Sequence, residues 1–164
     1  MDKLWAPWRV KYITKIGKLR GACTFCRLFR ERKDKANFVI ARTKHSFAVL
    51  NIYPYNNGHT LIVPNRHVND LDGLTAPEMA DLMDLLIRTQ KMLDKALRPA
   101  GYNVGINLGR IAGAGIPGHL HIHVVPRWRG DANFMPVTAE TRVISQSLKA
   151  LFDKLSKVHR KHSG

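Results

Sequence analysis

A run of alternating histidines between residues 118 and 126 constrains this chain more than any other feature. It reads Gly-His-Leu-His-Ile-His-Val-Val-Pro, so single apolar residues separate His119, His121 and His123. Strict alternation is the period of a β-strand, which predicts one strand with all three imidazoles on the same face. Imidazole titrates near neutral pH and can act as a nucleophile, an acid, a base or a metal ligand. The run therefore predicts a functional strand.

Two simpler interpretations of the histidine run are possible. The run could be the solvated polar face of an edge strand. It could also bind one metal ion with all three rings, but the outer rings of such a strand are roughly 13 Å apart. A zinc ion binds its ligands at about 2 Å. We therefore expect the three imidazoles to divide their roles.

The charge of the chain favours anionic partners. Its 164 residues contain 27 Lys and Arg against 12 Asp and Glu, a formal net charge of +15. Nucleotides, polyphosphates, nucleic acid or an anionic membrane surface suit such a charge, although it could also serve solubility alone. No apolar run approaches the roughly 20 residues that span a membrane. The N-terminus lacks a signal-peptide pattern, so we expect a cytoplasmic protein.

Cys23 and Cys26 are the only cysteines and form a Cys-x-x-Cys pair. In a cytosolic chain this spacing indicates a metal knuckle or a redox pair. A thioredoxin-like redox pair follows a strand, and no strand pattern precedes Cys23, which favours metal. Two thiolates are half of a tetrahedral zinc site, so two further ligands must come from elsewhere.

The remaining pattern predicts an α+β fold with an antiparallel sheet, because the strands are joined by hairpin-length connections. The predicted strands are 38–41, 46–52, 59–64, 101–108 and the histidine strand. A Gly-rich loop over 109–118 leads into the last of these.

Two helices are predicted. A capping box over 75–78 opens a long helix that Pro99 ends. A second helix starts at about Thr138. The expected apolar stripe of the first helix, with its methionines as core filler, is Met79, Leu82, Met83, Leu86, Leu93 and Leu97; that of the second is Ile144, Leu148, Leu151, Phe152 and Leu155.

The histidine run resembles the signature of the histidine triad (HIT) superfamily of nucleotide hydrolases and transferases. The resemblance extends over 23–126 and implies a five-stranded antiparallel sheet with one long helix packed on it and a C-terminal helix. It also implies a homodimer whose sheets join edge to edge. We expect a single HIT domain over 1–164, with an N-terminal arm (1–22), a core (23–126), and a loop and C-terminal helix with a basic tail (127–164).

Within the superfamily, three further features resemble the bacterial diadenosine tetraphosphate phosphorylase group, whose members are ATP adenylyltransferase-like. They are the Trp-Ala-Pro-Trp-Arg start at 5–9, the Gly-Ala-Gly-Ile-Pro-Gly loop at 113–118, and the run from Pro126 to Phe134. Gly115 and Ile116 stand where many hydrolase members carry Gln and then Ser or Thr. The resemblance therefore implies phosphorolysis, in which diadenosine tetraphosphate and phosphate give ADP and ATP through a covalent nucleotidyl-histidine.

The resemblance assigns roles residue by residue. His121 matches the nucleophile, and His123 and His59 complete the catalytic set. The implied ligands of a structural Zn²⁺ are His67 and His119 together with the cysteine pair, while His45 competes for a place; no organic cofactor is implied. The positions implied for substrate binding are Asn51, Asn107, Gly115, His123 and Trp128.

Other functions stay open at this point. A HIT-family hydrolase would cleave dinucleoside polyphosphates or nucleoside phosphoramidates with water. A basic module that binds nucleotides or nucleic acid would use the positive charge and the Trp and Tyr residues near it. An inert scaffold held by zinc would form no covalent adduct. The expected partners are a nucleotide or dinucleoside polyphosphate and a second copy of the chain, with no membrane.

Overall fold

A five-stranded antiparallel sheet forms the centre of the molecule. The computed structural model describes residues 23–131 and 146–160. Neighbouring strands follow the order β1-β2-β3-β5-β4, and every pair is antiparallel. The predicted fold class is confirmed. The strands are β1 (Val39–Arg42), β2 (Ser46–Leu50), β3 (Thr60–Pro64), β4 (Gly101–Ile106) and β5 (Ile122–Arg127).

Helices cover both faces of this sheet. They are α1 (Thr24–Glu31), α2 (Asp34–Asn37), α3 (Ala76–Leu97) and α4 (Leu148–Arg160). The short helices α1 and α2 were not predicted. On one face α3 and α4 pack on side chains such as Leu50, Ile62 and Val124. On the other, Phe25 and Leu28 of α1 pack on Phe47, Val49, Leu61 and Val63. Because both faces are covered, β2 and β3 are buried along their whole length.

Helix α3 begins with the predicted capping box. The side chains of Thr75 and Glu78 bond reciprocally to the backbone of the first turn. The buried Glu78 carboxylate also accepts bonds from Nε and Nη2 of Arg66, at 2.8 and 2.7 Å. The Arg66 guanidinium lowers the pKa of Glu78 to about 2. The helix ends before Arg98, whose φ of 49° is left-handed, and Pro99 follows.

The predicted apolar stripe of α3 is partly wrong. Met79 and Met83 are each 44% exposed, so they are not core filler. The buried stripe contains Leu82 and Leu93 as predicted, and adds Leu85, Thr89, Met92 and Ala96. Leu86 and Leu97 pack at the edge of the core. The helix buries the side that carries Leu82, Leu85, Thr89 and Leu93 against the sheet. Its opposite side is exposed and carries Met79, Met83 and Ile87, spaced four residues apart.

Helix α4 begins at Leu148, and the two described residues before it, Gln146 and Ser147, are not helical. Ser147 accepts from the Ala150 N–H through its hydroxyl, at 3.2 Å, and from the Leu151 N–H through its carbonyl, at 3.0 Å, which starts the helix. Leu151, Phe152 and Leu155 are buried as predicted. The predicted arm (1–22), the helical start at 138–145 with Ile144, and the last residues of the tail lie outside the described residues.

Within 23–131 and 146–160, the structure contains no helix with the length and apolarity required to cross a lipid bilayer.

Candidate active site and metal centre

The histidine run divides its rings between two clusters, as expected, but it is not one strand. Only His123 lies on β5, which begins at Ile122, whereas His119 and His121 precede it. The predicted strand over all three histidines is therefore wrong at its start. The reason is local bonding: the His119 N–H donates to Ile116 and the Leu120 N–H to Val68, so neither pairs with a neighbouring strand.

His121 is held in one tautomer. Its Nδ1 lies 2.8 Å from the carbonyl oxygen of His119. Because a carbonyl only accepts, Nδ1 carries the proton and Nε2 keeps its lone pair. The ring is 5% exposed, and this burial lowers its pKa. A neutral imidazole with a lone pair on Nε2 is the form that attacks an electrophile.

His59 and His123 form a directed pair next to His121. The Tyr55 N–H donates to His59 Nδ1 at 3.0 Å, so this nitrogen is the acceptor and Nε2 carries the proton. His59 Nε2 then lies 2.9 Å from His123 Nδ1 and donates to it. The neutral His123 ring consequently carries its own proton on Nε2. The His121 and His123 ring centroids are 4.9 Å apart, which brings that donor beside the His121 ring.

Two asparagines predicted for substrate binding lie at this pair. Asn51 Nδ2 is 3.3 Å from His59 Nδ1, and Asn51 Oδ1 accepts from the Tyr53 N–H at 2.9 Å, which orients the amide. Asn107 follows β4, which is shorter than predicted, and its side-chain amide lies 3.5 Å from His123 Nε2. The structure thus places both side chains around the proton-carrying pair.

Gly115 and Trp128 are half-buried and flank the histidines in sequence. Gly115 is in the loop before His119, and Trp128 directly follows β5, where its N–H donates to Asp131 at 3.0 Å. Among the described residues, neither has a hydrogen bond to a histidine ring. Their predicted role in substrate binding stays a prediction.

Two aromatic residues at the site were not predicted from the sequence. The Tyr55 ring stacks on His123, with centroids 5.6 Å apart and planes at 9°, and lies 4.6 Å from the His59 ring. The buried Phe25 ring lies 5.4 Å from His119 and 5.2 Å from His121. The only signal was position: Phe25 stands inside the cysteine pair, and Tyr55 lies four residues before His59.

The second cluster has the composition of a zinc site. One ligand atom each from Cys23, Cys26, His67 and His119 lies within 4.8 Å of all the others. Cys23 Sγ is 3.2 Å from His119 Nδ1, and Cys26 Sγ is 3.3 Å from His67 Nδ1. Bonds of about 2.0–2.3 Å in a tetrahedron separate ligands by about 3.3–3.8 Å, so the four residues fit Zn²⁺.

The protonation of this cluster also suits a cation. His119 Nε2 donates to the Pro64 carbonyl at 3.0 Å, which leaves the Nδ1 lone pair facing the cysteines. Burial lowers the pKa of His119 to about 4 and keeps the ring neutral. Burial, followed by the neighbouring Cys23, raises the pKa of the Cys26 thiol. A cation is therefore needed to hold Cys26 as a thiolate at neutral pH.

The structure brings His67 to the cysteines, whereas His45 is outside this group of residues. His67 lies in the segment after β3, and the Val68 carbonyl binds the Leu120 N–H at 2.7 Å. That bond holds the His67 segment next to His119. The backbone carbonyl of His45 instead binds the Asn65 N–H at 2.8 Å.

Comparison with known proteins decides the family. The model of the HIT domain matches residues 32–130. The chain belongs to the HIT family. The AP-4-A phosphorylase of Mycobacterium tuberculosis is 41% identical over 155 residues, which cover 91% of this chain and 80% of that protein. The predicted resemblance to the superfamily and to its phosphorylase group is confirmed.

Two other similarities extend this picture. The adenosine 5'-monophosphoramidase HNT1 of Saccharomyces cerevisiae is 32% identical over 142 residues, 87% of this HIT protein and 81% of the yeast protein. The crystal structure of a Zn-bound histidine triad family protein from Mycobacterium smegmatis superposes with a TM-score of 0.69 at 23% identity, covering 87% and 96% of the two chains. The M. tuberculosis and yeast relatives are both named as enzymes, which confirms the prediction that this HIT protein is an enzyme.

Proposed function

We propose that this HIT protein is a nucleotidyltransferase that phosphorolyses dinucleoside polyphosphates, converting diadenosine tetraphosphate and phosphate into ADP and ATP. The observation that carries the proposal is the state of His121. It is buried, its Nδ1–H is fixed on the His119 carbonyl, which leaves the lone pair on Nε2, and its ring lies beside that of His123. The 41% identity to a protein named AP-4-A phosphorylase supports the choice of substrate.

In the first step, His121 Nε2 attacks the α-phosphorus of the substrate. The bond from this phosphorus to the bridging oxygen of the β-phosphate breaks, and ATP leaves with that oxygen. The nucleotidylated ring is cationic, and its Nδ1–H bond to the His119 carbonyl stabilises it. His123 Nε2–H donates to an oxygen of the attacked phosphoryl group, where negative charge develops.

In the second step, an oxygen of inorganic phosphate attacks the same phosphorus. The bond to His121 Nε2 breaks, the ring recovers its lone pair, and ADP leaves. The described residues that surround the reacting rings are imidazoles, amides, Phe25 and Tyr55. Splitting the transfer into two displacements replaces one difficult reaction with two easier ones.

The proposal includes a structural Zn²⁺ on Cys23, Cys26, His67 and His119. These four residues would hold the ion with four protein ligands, so it would cross-link their segments and offer no open position to substrate. Phe25 connects the two clusters, because it lies between the cysteines in sequence and contacts the rings of His119 and His121. The Zn-bound M. smegmatis protein supports the identity of the metal.

A homodimer and a cytoplasmic location complete the proposal. The expected dimer joins the sheets edge to edge, and β4 is an outer strand with Val104 47% exposed. Sedimentation of the full chain at several concentrations tests it.

The reaction is tested by incubating the protein with diadenosine tetraphosphate in the presence and absence of phosphate. We expect ADP and ATP in equal amounts only when phosphate is present. A base quench followed by mass spectrometry should show one nucleotidyl group on His121, since phosphohistidine is labile in acid. Equal turnover without phosphate would favour hydrolysis. A fully active His121→Ala variant would reject the nucleophile.

A nucleoside phosphoramidase is the second candidate, because 32% identity extends over most of the yeast phosphoramidase. The same His121 attack would break a phosphorus–nitrogen bond, and water would then release AMP. Adenosine 5'-monophosphoramidate, assayed without phosphate, separates the two functions. A higher kcat/KM on this substrate than on diadenosine tetraphosphate would favour the phosphoramidase.

A further inference from the structure

The loop over residues 51–59 joins β2 to β3 and carries part of the catalytic cluster. Its ends are closed by the Asn51 N–H, which donates to the His59 carbonyl at 2.9 Å. The His59 N–H donates to the Asn56 carbonyl at 3.2 Å, which folds the tip back on itself. This loop places the Tyr55 N–H on His59 and the Tyr55 ring on His123. Its position therefore affects both histidines.

The tip of this loop is tied to the far end of β5. Asn56 Nδ2 donates to the Pro126 carbonyl at 3.1 Å and to Asp131 Oδ2 at 2.7 Å. Asn56 Oδ1 accepts from the Asn57 N–H at 2.9 Å, which sets the orientation of the amide. The tie thus connects the 51–59 loop to the strand that carries His123.

The Asp131 carboxylate, which accepts from Asn56, is itself held in a fixed orientation. Its side chain is only 9% exposed. It accepts from Nε and Nη2 of Arg127, at 2.6 and 2.8 Å, and from the Trp128 N–H at 3.0 Å. Arg127 lowers the pKa of Asp131 to about 2, so the group is a carboxylate throughout the neutral range. A carboxylate that is oriented by Arg127 and a backbone N–H gives Asn56 a fixed acceptor.

We propose that Asp131 is a positioning residue for the transfer reaction: through Asn56 it holds Tyr55 so that His59 donates to His123. The proposal rests on the function proposed above. Asp131 touches neither histidine, and Asn56 and Tyr55 are consecutive in the chain. A shift of Asn56 therefore moves the Tyr55 N–H away from His59 Nδ1 and the Tyr55 ring away from His123.

Loss of the Asn56–Asp131 hydrogen bond should impair this arrangement without abolishing it. Asn51 Nδ2 also faces His59 Nδ1, and the Pro126 carbonyl still accepts from Asn56. His121 is held by a separate bond to the His119 carbonyl. The expected result is a lower rate of transfer with the nucleophile intact.

The experiment compares Asp131→Ala and Asn56→Asp with the wild-type full chain. Asn56→Asp keeps the oxygen that accepts from Asn57, removes the donor, and places a second carboxylate against Asp131. Asp34→Ala is the matched control, since Asp34 is likewise held by Nε and Nη2 of an arginine, Arg42, but lies outside the 51–59 loop and β5. The measurements are kcat and KM for diadenosine tetraphosphate, and nitrogen-15 spectra that report histidine tautomers.

For Asp131→Ala and Asn56→Asp we expect kcat to fall about tenfold or more, and KM to change less than about threefold. The His59 signals should lose the pattern of a proton fixed on Nε2. Asp131→Asn keeps one acceptor oxygen and should retain more of kcat than Asp131→Ala. Asp34→Ala should match the wild type in both measurements.

Unchanged kcat and unchanged His59 signals in a folded Asp131→Ala or Asn56→Asp variant would overturn the proposal. A lower kcat with an unchanged His59 tautomer would also overturn it, because the effect would then not pass through His59. If the wild type fails to consume diadenosine tetraphosphate, the proposed function fails. The histidine spectra would still decide the positioning role.

Discussion

His119 and His121 are two residues apart, yet the structure gives them opposite tautomers. His119 carries its proton on Nε2, which donates to the Pro64 carbonyl, and directs the Nδ1 lone pair at the cysteines. His121 carries its proton on Nδ1, which donates to the His119 carbonyl, and keeps the lone pair on Nε2. Identical side chains thus acquire different chemistry because each ring nitrogen meets a different backbone carbonyl.

The two clusters also differ in how they are held. The metal cluster collects residues from α1, from the segment after β3 and from the segment before β5. The catalytic cluster depends on hydrogen bonds among neutral imidazoles, the 51–59 loop and β5. We therefore expect damage to the first to appear mainly as lost stability, and damage to the second as lost turnover.

The largest difference between the two clusters is expected from His121→Ala, which should abolish turnover and leave the metal cluster intact. Without the nucleophile, kcat should fall at least about a thousandfold, because both displacements pass through this ring. Zinc content measured by atomic absorption should remain that of the wild type. A His121→Ala protein that loses its zinc would show that the two clusters are one unit.

Metal removal should act on stability first. A structural ion present at a thousand times its Kd contributes about 4 kcal/mol to the folded state, or about 8–16 °C in Tm for a domain of this size. Chelation of the wild type should lower Tm by this amount, and added zinc should restore it. His119→Ala should show the lower Tm with and without chelator. An unchanged Tm after demonstrated metal loss would contradict a structural role.

A smaller effect on stability is expected from Glu78→Gln, which lies near the metal cluster. Glu78 binds Arg66, the residue before His67, and its pKa is lowered to about 2 in the folded protein against an ordinary value of 4.5. The group therefore stabilises the fold above pH 4.5, and this stabilisation is lost as the pH falls towards 2. Glu78→Gln should cost about 1 kcal/mol at neutral pH and flatten the dependence of Tm on pH in that window. If Tm of Glu78→Gln still fell as steeply between pH 4.5 and pH 2, the acid dependence would belong to another carboxylate.

The smallest effect is expected from His45→Ala. His45 lies outside the group of four ligand atoms, so zinc content and kcat should equal those of the wild type. Its backbone carbonyl, which binds Asn65, survives the substitution. Stability should change by less than about 0.5 kcal/mol. Loss of zinc in this variant would return His45 to the ligand set in place of His67.

Much of the fold was predictable because its signals are local. The long helix is marked in the sequence itself, by the capping box at Thr75 and Glu78 and by Pro99 just beyond its end. The short α1 was missed because its eight residues contain only part of an apolar stripe, and it forms by packing Phe25 and Leu28 on the sheet. The outward placement of Met79 and Met83 was missed for a related reason: which line of α3 is buried depends on the sheet beneath it.

The site shows the same division. By itself, the sequence determined the residue types of the chemistry: alternating histidines, a cysteine pair and asparagines near them. Only the tertiary structure decided which nitrogen of each ring carries a proton, that His67 and not His45 reaches the cysteines, and that Tyr55 contacts His59 and His123 while Asp131 binds the adjacent Asn56. The physical reason is that a proton on an imidazole is placed by its hydrogen-bond partner, and folding alone sets which partner each ring meets, whether it is two residues away, as for His121, or 55 residues away, as for His119.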